Sequence, residues 1–239
     1  SKQVDIVLNA VDPIAPSVIS QTNDYKDVTL SWNPVIDENF DNYESFALSI
    51  PGWTFEDKDQ SQTYGFEGVD FPNTGYTGSF ITMDPFSDYL LQAGSRFDQY
   101  SGRQFLGCVA ATTPPNNDWL ISPVFTVKEG DYLSLMAKSY TNQYGLEKFN
   151  VLVAMQEPSP QPYVNISGGV QEAPVIWTPF SYSLADYVGK KIRFAIQCVS
   201  HDAFLLMLDL IQVKPQSPSG AASLVKAEPL QSVAKTKNY

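Results

Sequence analysis

Apolar and polar residues alternate with a period of two through residues 133–138 and 148–155. This period places successive side chains on opposite faces of an extended strand. In the first segment Leu133, Leu135 and Ala137 share one face. Each segment therefore predicts a β-strand with one buried face.

Further short strands are predicted at residues 177–184, 190–200 and 204–213, with turn signals such as the proline-rich stretch 158–162 between strands. The chain holds 17 prolines and 14 glycines, which favours many turns and few helices. Several short strands separated by turns are typical of two packed antiparallel sheets. We therefore predict an all-β sandwich.

Residues 60–102 show no sustained period, although many aromatic residues lie there among six glycines. We interpret this stretch as long connections with one short helix at residues 85–92. A connection of this length is usually functional or a mobile lid. We therefore expect it to be exposed at one end or face of the sandwich.

The two ends of the chain differ from its middle. Residues 1–36 include an alternating run that reaches Trp32 and resembles the second strand of a fibronectin type III or immunoglobulin-like module, although 36 residues are too few for such a domain. We interpret them as a remnant of such a module or an added pair of strands against the main domain, and the alternative is an extended arm anchored by Trp32. We place the main domain at residues 37–213 and a linker with a basic tail at residues 214–239, where proline, serine and alanine are frequent.

Acidic residues dominate the main domain. The net charge is −11, and residues 214–239 carry four lysines and one glutamate, a balance of +3, which leaves −14 on residues 1–213. Nucleic acid needs a basic surface, so we do not expect it as a partner. Between Asp37 and Asp70, nine acidic residues accompany one basic residue, Lys58, and this clustering favours cations. No apolar run approaches the ~20 residues that span a bilayer.

Few residues could support nucleophilic catalysis. His201 is the only histidine, and Cys198, three residues earlier on a predicted strand, would point to the opposite face. Cys108 and Cys198 cannot form a zinc site with one histidine, and we expect free buried thiols, with one disulfide as the alternative. The composition therefore favours a protein that is not an enzyme.

A series of motifs resembles the cleaved adhesin, or choice-of-anchor J, family, known from gingipain-type proteases and surface proteins of Gram-negative anaerobes. The central motif is NDWLISP at residues 117–123, a polar rim that leads into a buried strand and ends at a proline. The others lie at residues 44–46, 50–53, 57–59 and 144–149, at Trp177, and at residues 202–209. The resemblance covers residues 42–213 and implies a jelly roll, similar to carbohydrate-binding modules and MAM domains.

The resemblance also implies a calcium site. The family's Asp-x-Asp loop corresponds to Asp57 and Asp59, which we place in a loop. The other positions that match are Asn117, Asp118, Asp202 and Asp209, with Glu44 as a further candidate. The sequence departs from the family at residues 60–62 and at Met207, where ligand oxygens are lost. The alternative is that these acids cap turns by accepting backbone N–H groups.

Aromatic residues in the connections are candidate ligand contacts, because sugars and protein partners both pack against such rings. The candidates are Tyr64, Phe66, Tyr76, Phe86, Tyr89, Tyr100, Tyr140 and Tyr144. Trp53, Trp119 and Trp177 lie at motif positions, and we expect them in the core. The alternative for each loop aromatic is packing beneath its own loop.

The resemblance implies a monomeric, secreted or surface module, anchored at the outer membrane of a Gram-negative bacterium, that binds a glycan or an extracellular protein without catalysis. The chain begins at Ser1 without an apolar leader, so we expect a mature or trimmed form. The first alternative is a spacer module with no ligand of its own. The second is a glycoside hydrolase, which rests on fold analogy alone.

Overall fold

The computed structural model describes residues 18–21, 28–31, 35–90 and 96–215. Within these ranges the chain forms fifteen β-strands and one 3₁₀ turn, Ala185–Tyr187, and it contains no α-helix. All strand pairs are antiparallel. The predicted all-β fold is confirmed.

Six strands form the first sheet. In spatial order they are β13 (Thr178–Ser183), β9 (Asp131–Ser139), β15 (Leu205–Pro215), β6 (Phe105–Val109) and β5 (Ile81–Met83), and β3 (Ile36–Glu38) also pairs with β15. β9 follows one edge of β15, whereas β6 and β3 share the opposite edge in succession. A register shift between Asp209 and Gln212 marks the junction between these two partners.

Seven strands form the second sheet. In spatial order they are β11 (Val164–Asn165), β10 (Lys148–Met155), β14 (Lys191–Cys198), β7 (Asp118–Ile121) and β4 (Thr54–Asp57), while β12 (Gln171–Glu172) pairs with β10 and β8 (Phe125–Thr126) pairs with β14. The Asn-Asp-Trp motif thus leads into β7, as the sequence predicts.

The main core lies between the two sheets. One face of β9 contributes Leu133, Leu135 and Ala137, the three residues that the alternating pattern places on a single face. They pack with buried residues of the second sheet: Phe149, Val151, Val153, Ile192, Phe194 and Ile196. Cys108 and Cys198 are buried as free thiols, as expected.

A second apolar cluster covers the outer face of the first sheet, and we call it the aromatic layer. It contains Phe46, Phe66, Phe71, Tyr76, Phe97, Phe105, Met83, Leu205 and Met207. Alternate residues of β15 therefore face the main core and this layer, because neighbouring side chains of a strand point to opposite faces.

The aromatic layer overturns the expectation that residues 60–102 are an exposed connection. This stretch contains β5, and Phe71, Tyr76 and Phe80 in it are buried. The predicted helix at residues 85–92 is also wrong over its described part, because residues 85–90 form turns in which the Leu90 N–H donates to the Ser87 carbonyl at 3.1 Å.

β1 (Val18–Gln21) and β2 (Val28–Ser31) pair with each other, with Val18 opposite Ser31. The linker predicted at residues 214–239 lies outside the described residues from 216 onward, and Trp32 is also outside them. No helix in the described ranges has the length and apolar character that crossing a bilayer requires.

Candidate functional site

Three carboxylates meet where β4 pairs with β7, and we call them the acidic centre: Asp57, Asp59 and Asp118. The strand register places Asp57 opposite Asp118, and Asp59 follows two residues after Asp57. One carboxylate oxygen from each lies within 4.8 Å of the others. Asp57 is the last residue of β4 and not a loop residue, which corrects the sequence-based expectation.

Part of this arrangement is turn capping. Asp57 Oδ1 accepts the Gln60 N–H at 2.7 Å, and Asp59 Oδ1 accepts the Ser61 N–H at 2.9 Å. Asp59 Oδ2 accepts the backbone N–H of Asn117 at 2.5 Å, which ties the loop after β4 to the start of β7. These bonds preorganise the two carboxylates.

Capping does not account for all oxygens of the centre. Asp118 is 2% exposed, and its Oδ2 accepts the Asn116 amide at 2.8 Å and the Cys108 thiol at 3.4 Å. Its Oδ1 and the Oδ2 of Asp57 are both buried and have no hydrogen-bond partner among the described residues. Buried acceptors without a donor are costly, and a cation would satisfy both oxygens.

The electrostatics of Asp118 fit this interpretation. Burial raises the pKa of its carboxyl to about 8, against the hydrogen bond from Asn116, and the charges of Asp59 and Asp57 raise it further. A positive ion between the carboxylates would remove this repulsion. Calcium accepts carboxylate and carbonyl oxygens in flexible geometry, so these residues fit a calcium ion.

The remaining predicted metal ligands lie elsewhere or use other atoms. Asn117 Oδ1 accepts the indole N–H of Trp119 at 2.8 Å and the Gln197 amide at 2.9 Å. Asp202 and Glu44 are exposed, and neither belongs to the described group of close carboxylates.

Asp209 is fully buried and binds backbone. Its Oδ2 accepts the N–H groups of Tyr100 and Ser101, both at 2.8 Å, and its Oδ1 accepts the Leu210 N–H at 2.6 Å. Burial raises the pKa of this carboxyl to about 6, although the backbone bonds oppose the rise. Asp209 thus satisfies a backbone N–H group at the register shift in β15 and links this strand to the loop before β6.

The aromatic candidates divide into buried and exposed rings. Phe66 and Tyr76 are each 7% exposed within the aromatic layer, and Tyr140 is half-buried against it. The exposed rings are Tyr64, Phe86, Tyr89, Tyr100 and Tyr144. Tyr89 and Tyr100 border the layer through edge contacts with Phe46 and Trp177. Trp119 is buried, and Trp53 and Trp177 pack against the two clusters, as expected.

A cavity of about 220 Å³ lies beside the end of β9, and we call it the basic cavity. Its lining residues are Arg96, Lys138, Tyr140, Thr141, Asn142 and Val175. The Tyr140 ring is held by Phe97 and Phe204, at centroid distances of 4.6 and 5.0 Å. The Lys138 ammonium donates to the Asp98 carboxylate and to the Arg96 carbonyl.

Only Tyr140 of this lining was a sequence candidate. The available signal for Lys138 was a lysine on a strand of a strongly acidic domain, two residues before a predicted ligand aromatic. Arg96 comes from the aperiodic stretch 60–102 and reaches the cavity through tertiary packing, which periodicity does not reveal.

The comparisons with known proteins concern fold. No family model and no curated protein match the chain. Among solved structures, the K2 cleaved adhesin domain of Lys-gingipain matches with a TM-score of 0.50 and 13% identity over 75% of this chain and 98% of that domain. The K1 domain of Lys-gingipain from Porphyromonas gingivalis W83 has a TM-score of 0.47, 14% identity and coverages of 76% and 98%. The CBM22-1 xylan-binding domain from Paenibacillus barcinonensis has a TM-score of 0.44, 13% identity and coverages of 77% and 96%. The β-sandwich of this chain is therefore similar in fold to the cleaved adhesin domain of a gingipain, the family that its series of sequence motifs resembles.

Proposed function

We propose that this chain is a non-catalytic binding module of a secreted or surface-exposed bacterial protein, and that it recognises a glycan or an extracellular protein. The basic cavity carries the proposal. It is lined by an aromatic residue, Tyr140, and by the polar residues Thr141 and Asn142. Binding sites for small ligands combine these features.

A binding role is supported over catalysis by the state of the reactive groups. Burial raises the pKa of the Cys108 thiol well above its ordinary value, which disfavours the nucleophilic thiolate. His201 is exposed and Cys198 is buried. Asp118 in the acidic centre is too deeply buried for a sugar ring to reach its carboxyl, so this cluster does not offer the accessible pair of carboxylates that a glycoside hydrolase uses.

The similarity in fold adds limited support. The K2 domain of Lys-gingipain is a cleaved adhesin domain. We carry over from it only the expectation of an adhesive role. The acidic domain, with −14 on residues 1–213, also supports a partner other than nucleic acid.

Binding can be tested with the full chain on a glycan array and against immobilised extracellular matrix proteins. Asn142→Ala and Tyr144→Ala alter the cavity and the exposed ring in its loop, and we expect both to weaken binding without lowering the melting temperature. Tyr64→Ala removes another exposed ring away from the cavity and serves as the matched control. Equal binding by all four proteins would contradict the cavity assignment, and no binding to any ligand would favour a spacer module.

The acidic centre further supports a structural calcium ion that fastens β4 to β7. Because such an ion binds only the folded state, millimolar calcium should raise the melting temperature, and a chelator should reverse the rise. We expect Asp57→Asn to abolish the rise. Asp202→Asn, which removes an exposed acid outside the acidic centre, should retain it. A melting curve of the unaltered chain that is identical in calcium and in chelator would leave turn capping as the role of these acids.

A further inference from the structure

We propose that the basic cavity binds the carboxylate of an acidic sugar residue, so that the module prefers glycans with uronic or sialic acid units. The inference rests on the proposed binding function and narrows its ligand class.

The cavity concentrates positive charge in an acidic molecule. Two of its six lining side chains are cationic, although residues 1–213 carry −14 in total. Lys138 is 6% exposed, and its charge is already matched by the Asp98 carboxylate. Arg96 is exposed, and its guanidinium forms no ion pair with any described residue. Arg96 is therefore the cation that remains available to a ligand.

The guanidinium also lies within electrostatic reach of the aromatic wall. Burial raises the pKa of the Tyr140 hydroxyl, and the positive charge of Arg96 opposes that rise. A planar guanidinium donates two parallel N–H bonds to a carboxylate. If the ligand offers a neutral hydroxyl instead, one of these two N–H donors remains unused. The cavity therefore offers its strongest single contact to an anionic ligand.

The neutral lining favours a sugar over an acidic peptide. The Thr141 hydroxyl oxygen accepts the Gln143 N–H at 3.2 Å, which leaves its own O–H free to donate. The side-chain amide of Asn142 forms no hydrogen bond with the described residues and can both donate and accept. Tyr140, whose ring packs against Phe97 and Phe204, belongs to the lining, and aromatic side chains are suited to contact the C–H groups of a sugar.

The volume agrees with a single residue of a glycan. A cavity of about 220 Å³ is smaller than the ~300–1,000 Å³ of sites that enclose drug-sized ligands. This volume is in proportion to one sugar ring. We therefore expect recognition of a terminal or side-branch unit.

The test compares matched glycans on the full chain: acidic oligosaccharides, the same oligosaccharides with methyl-esterified carboxyl groups, and their neutral counterparts. Esterification keeps the ring and removes the charge. We expect esterification to weaken binding about tenfold or more, since hydrogen bonds to a charged group contribute roughly 1.5–3 kcal/mol. Arg96→Gln should reduce the preference for the acid to near unity. Arg193→Gln removes an arginine from the seven-stranded sheet and is the matched control.

Each outcome has a distinct meaning. Equal binding of free and esterified glycans, or an unchanged acid preference in Arg96→Gln, would overturn the carboxylate inference while the binding function remained. Acidic peptides that bind as tightly as acidic glycans would overturn the sugar assignment. Binding to extracellular proteins with no glycan binding would overturn this inference alone, whereas loss of all binding would count against the proposed function.

Discussion

The carboxyl group of Asp118 is buried and also lies close to two other carboxylates. The residue lies in a strand that faces the main core, yet its carboxyl shares a small volume with those of Asp57 and Asp59. Without a cation, the folded state holds a proton on Asp118 up to a pH of about 8. With a cation, that proton must leave. Proton and metal therefore compete for the same buried oxygens.

This competition predicts the pH dependence of stability. The pKa of Asp118 is raised from 3.8 to about 8 on folding, so between these values the folded state binds more protons than the unfolded state. The free energy of unfolding of the metal-free protein should therefore fall as the pH rises from 4 to 8. Asp118→Asn should flatten this decline in thermal or urea unfolding at a series of pH values.

The difference in pH dependence between the unaltered chain and Asp118→Asn should be largest between pH 6 and 8. Glu147 and Asp209, whose pKa values burial raises to about 6, add a similar decline only at lower pH. Asp131→Asn, which removes a buried acid at the start of β9, is the control and should leave the decline between pH 6 and 8 in place. A decline above pH 6 that persists in Asp118→Asn would contradict the assignment.

Calcium affinity, in contrast to the stability of the metal-free protein, should increase as the pH rises. Because one proton must leave for the ion to bind, the apparent dissociation constant should rise roughly tenfold for each pH unit below 8. Calorimetric titration in two buffers with different ionisation enthalpies measures both the affinity and the proton released. An affinity that does not change between pH 6 and 8 would show that Asp118 is not a ligand.

At the scale of elements, the aromatic layer changes the role of residues 60–102 from a connection to a second core. Phe66 contacts the rings of Phe71, Phe97 and Phe204 at centroid distances of 5.0 to 5.4 Å. We expect Phe66→Ala to lower the free energy of unfolding by about 3–5 kcal/mol, as for other buried aromatic truncations. Tyr144→Ala, at a ring that is 58% exposed, should change it by less than about 0.5 kcal/mol in the same denaturation experiment. Similar small losses in both variants would mean that the layer contributes little.

The loop before β6 provides a second element-scale prediction. Gly102 has φ +63°, and a Cβ there would overlap the carboxylate of Asp41, which accepts the N–H groups of Arg103 and Gln104. Gly68 has φ +73° and open space around it. Gly68→Ala therefore measures the conformational cost alone, and Gly102→Ala should destabilise by about 1–3 kcal/mol more. Equal losses in chemical denaturation would exclude a role for the Asp41 contact.

The strands could be predicted because their alternation records burial on one face. Alternate apolar residues of β9 and β10 lie toward the main core as the pattern requires: Leu133, Leu135, Ala137, Phe149, Val151 and Val153. The aromatic layer could not be predicted in this way, because its aromatic residues other than Phe105 lie outside regular strands and are buried only by tertiary contact. One signal was present: Leu205 to Leu208 form an unbroken apolar run, which is typical of a strand that is covered on both faces.

The candidate sites were likewise predictable from the sequence only in part. Asp57, Asp59 and Asp118 could be grouped from the motif order, since β4 and β7 pair directly. Asp209 follows that order too, but the register shift in β15 directs its carboxyl to backbone N–H groups. The basic cavity combines Arg96, Lys138 and Val175, which are far apart in sequence, and no local pattern links them.

At the scale of the whole molecule, strand β3 of the first sheet defines the N-terminal boundary of the sandwich. β3 pairs with β15, and the Val35 N–H donates to the Val213 carbonyl at 2.7 Å. We expect residues 35–215 to fold with the melting temperature of the full chain. Residues 39–215, which lack β3 and the Glu38 carboxylate that accepts the Phe40 N–H, should melt lower. Loss of folding in the 35–215 fragment would mean that earlier residues belong to the sandwich.

The position of β15 has a consequence for folding during synthesis. This last described strand lies between β9 on one edge and β6 and β3 on the other, so without it the first sheet is divided into separate parts. Protein chains emerge from the ribosome N-terminus first and fold domain by domain. The first sheet therefore cannot be completed until residue 215 has emerged, so the sandwich forms only after all of its strands have been synthesised.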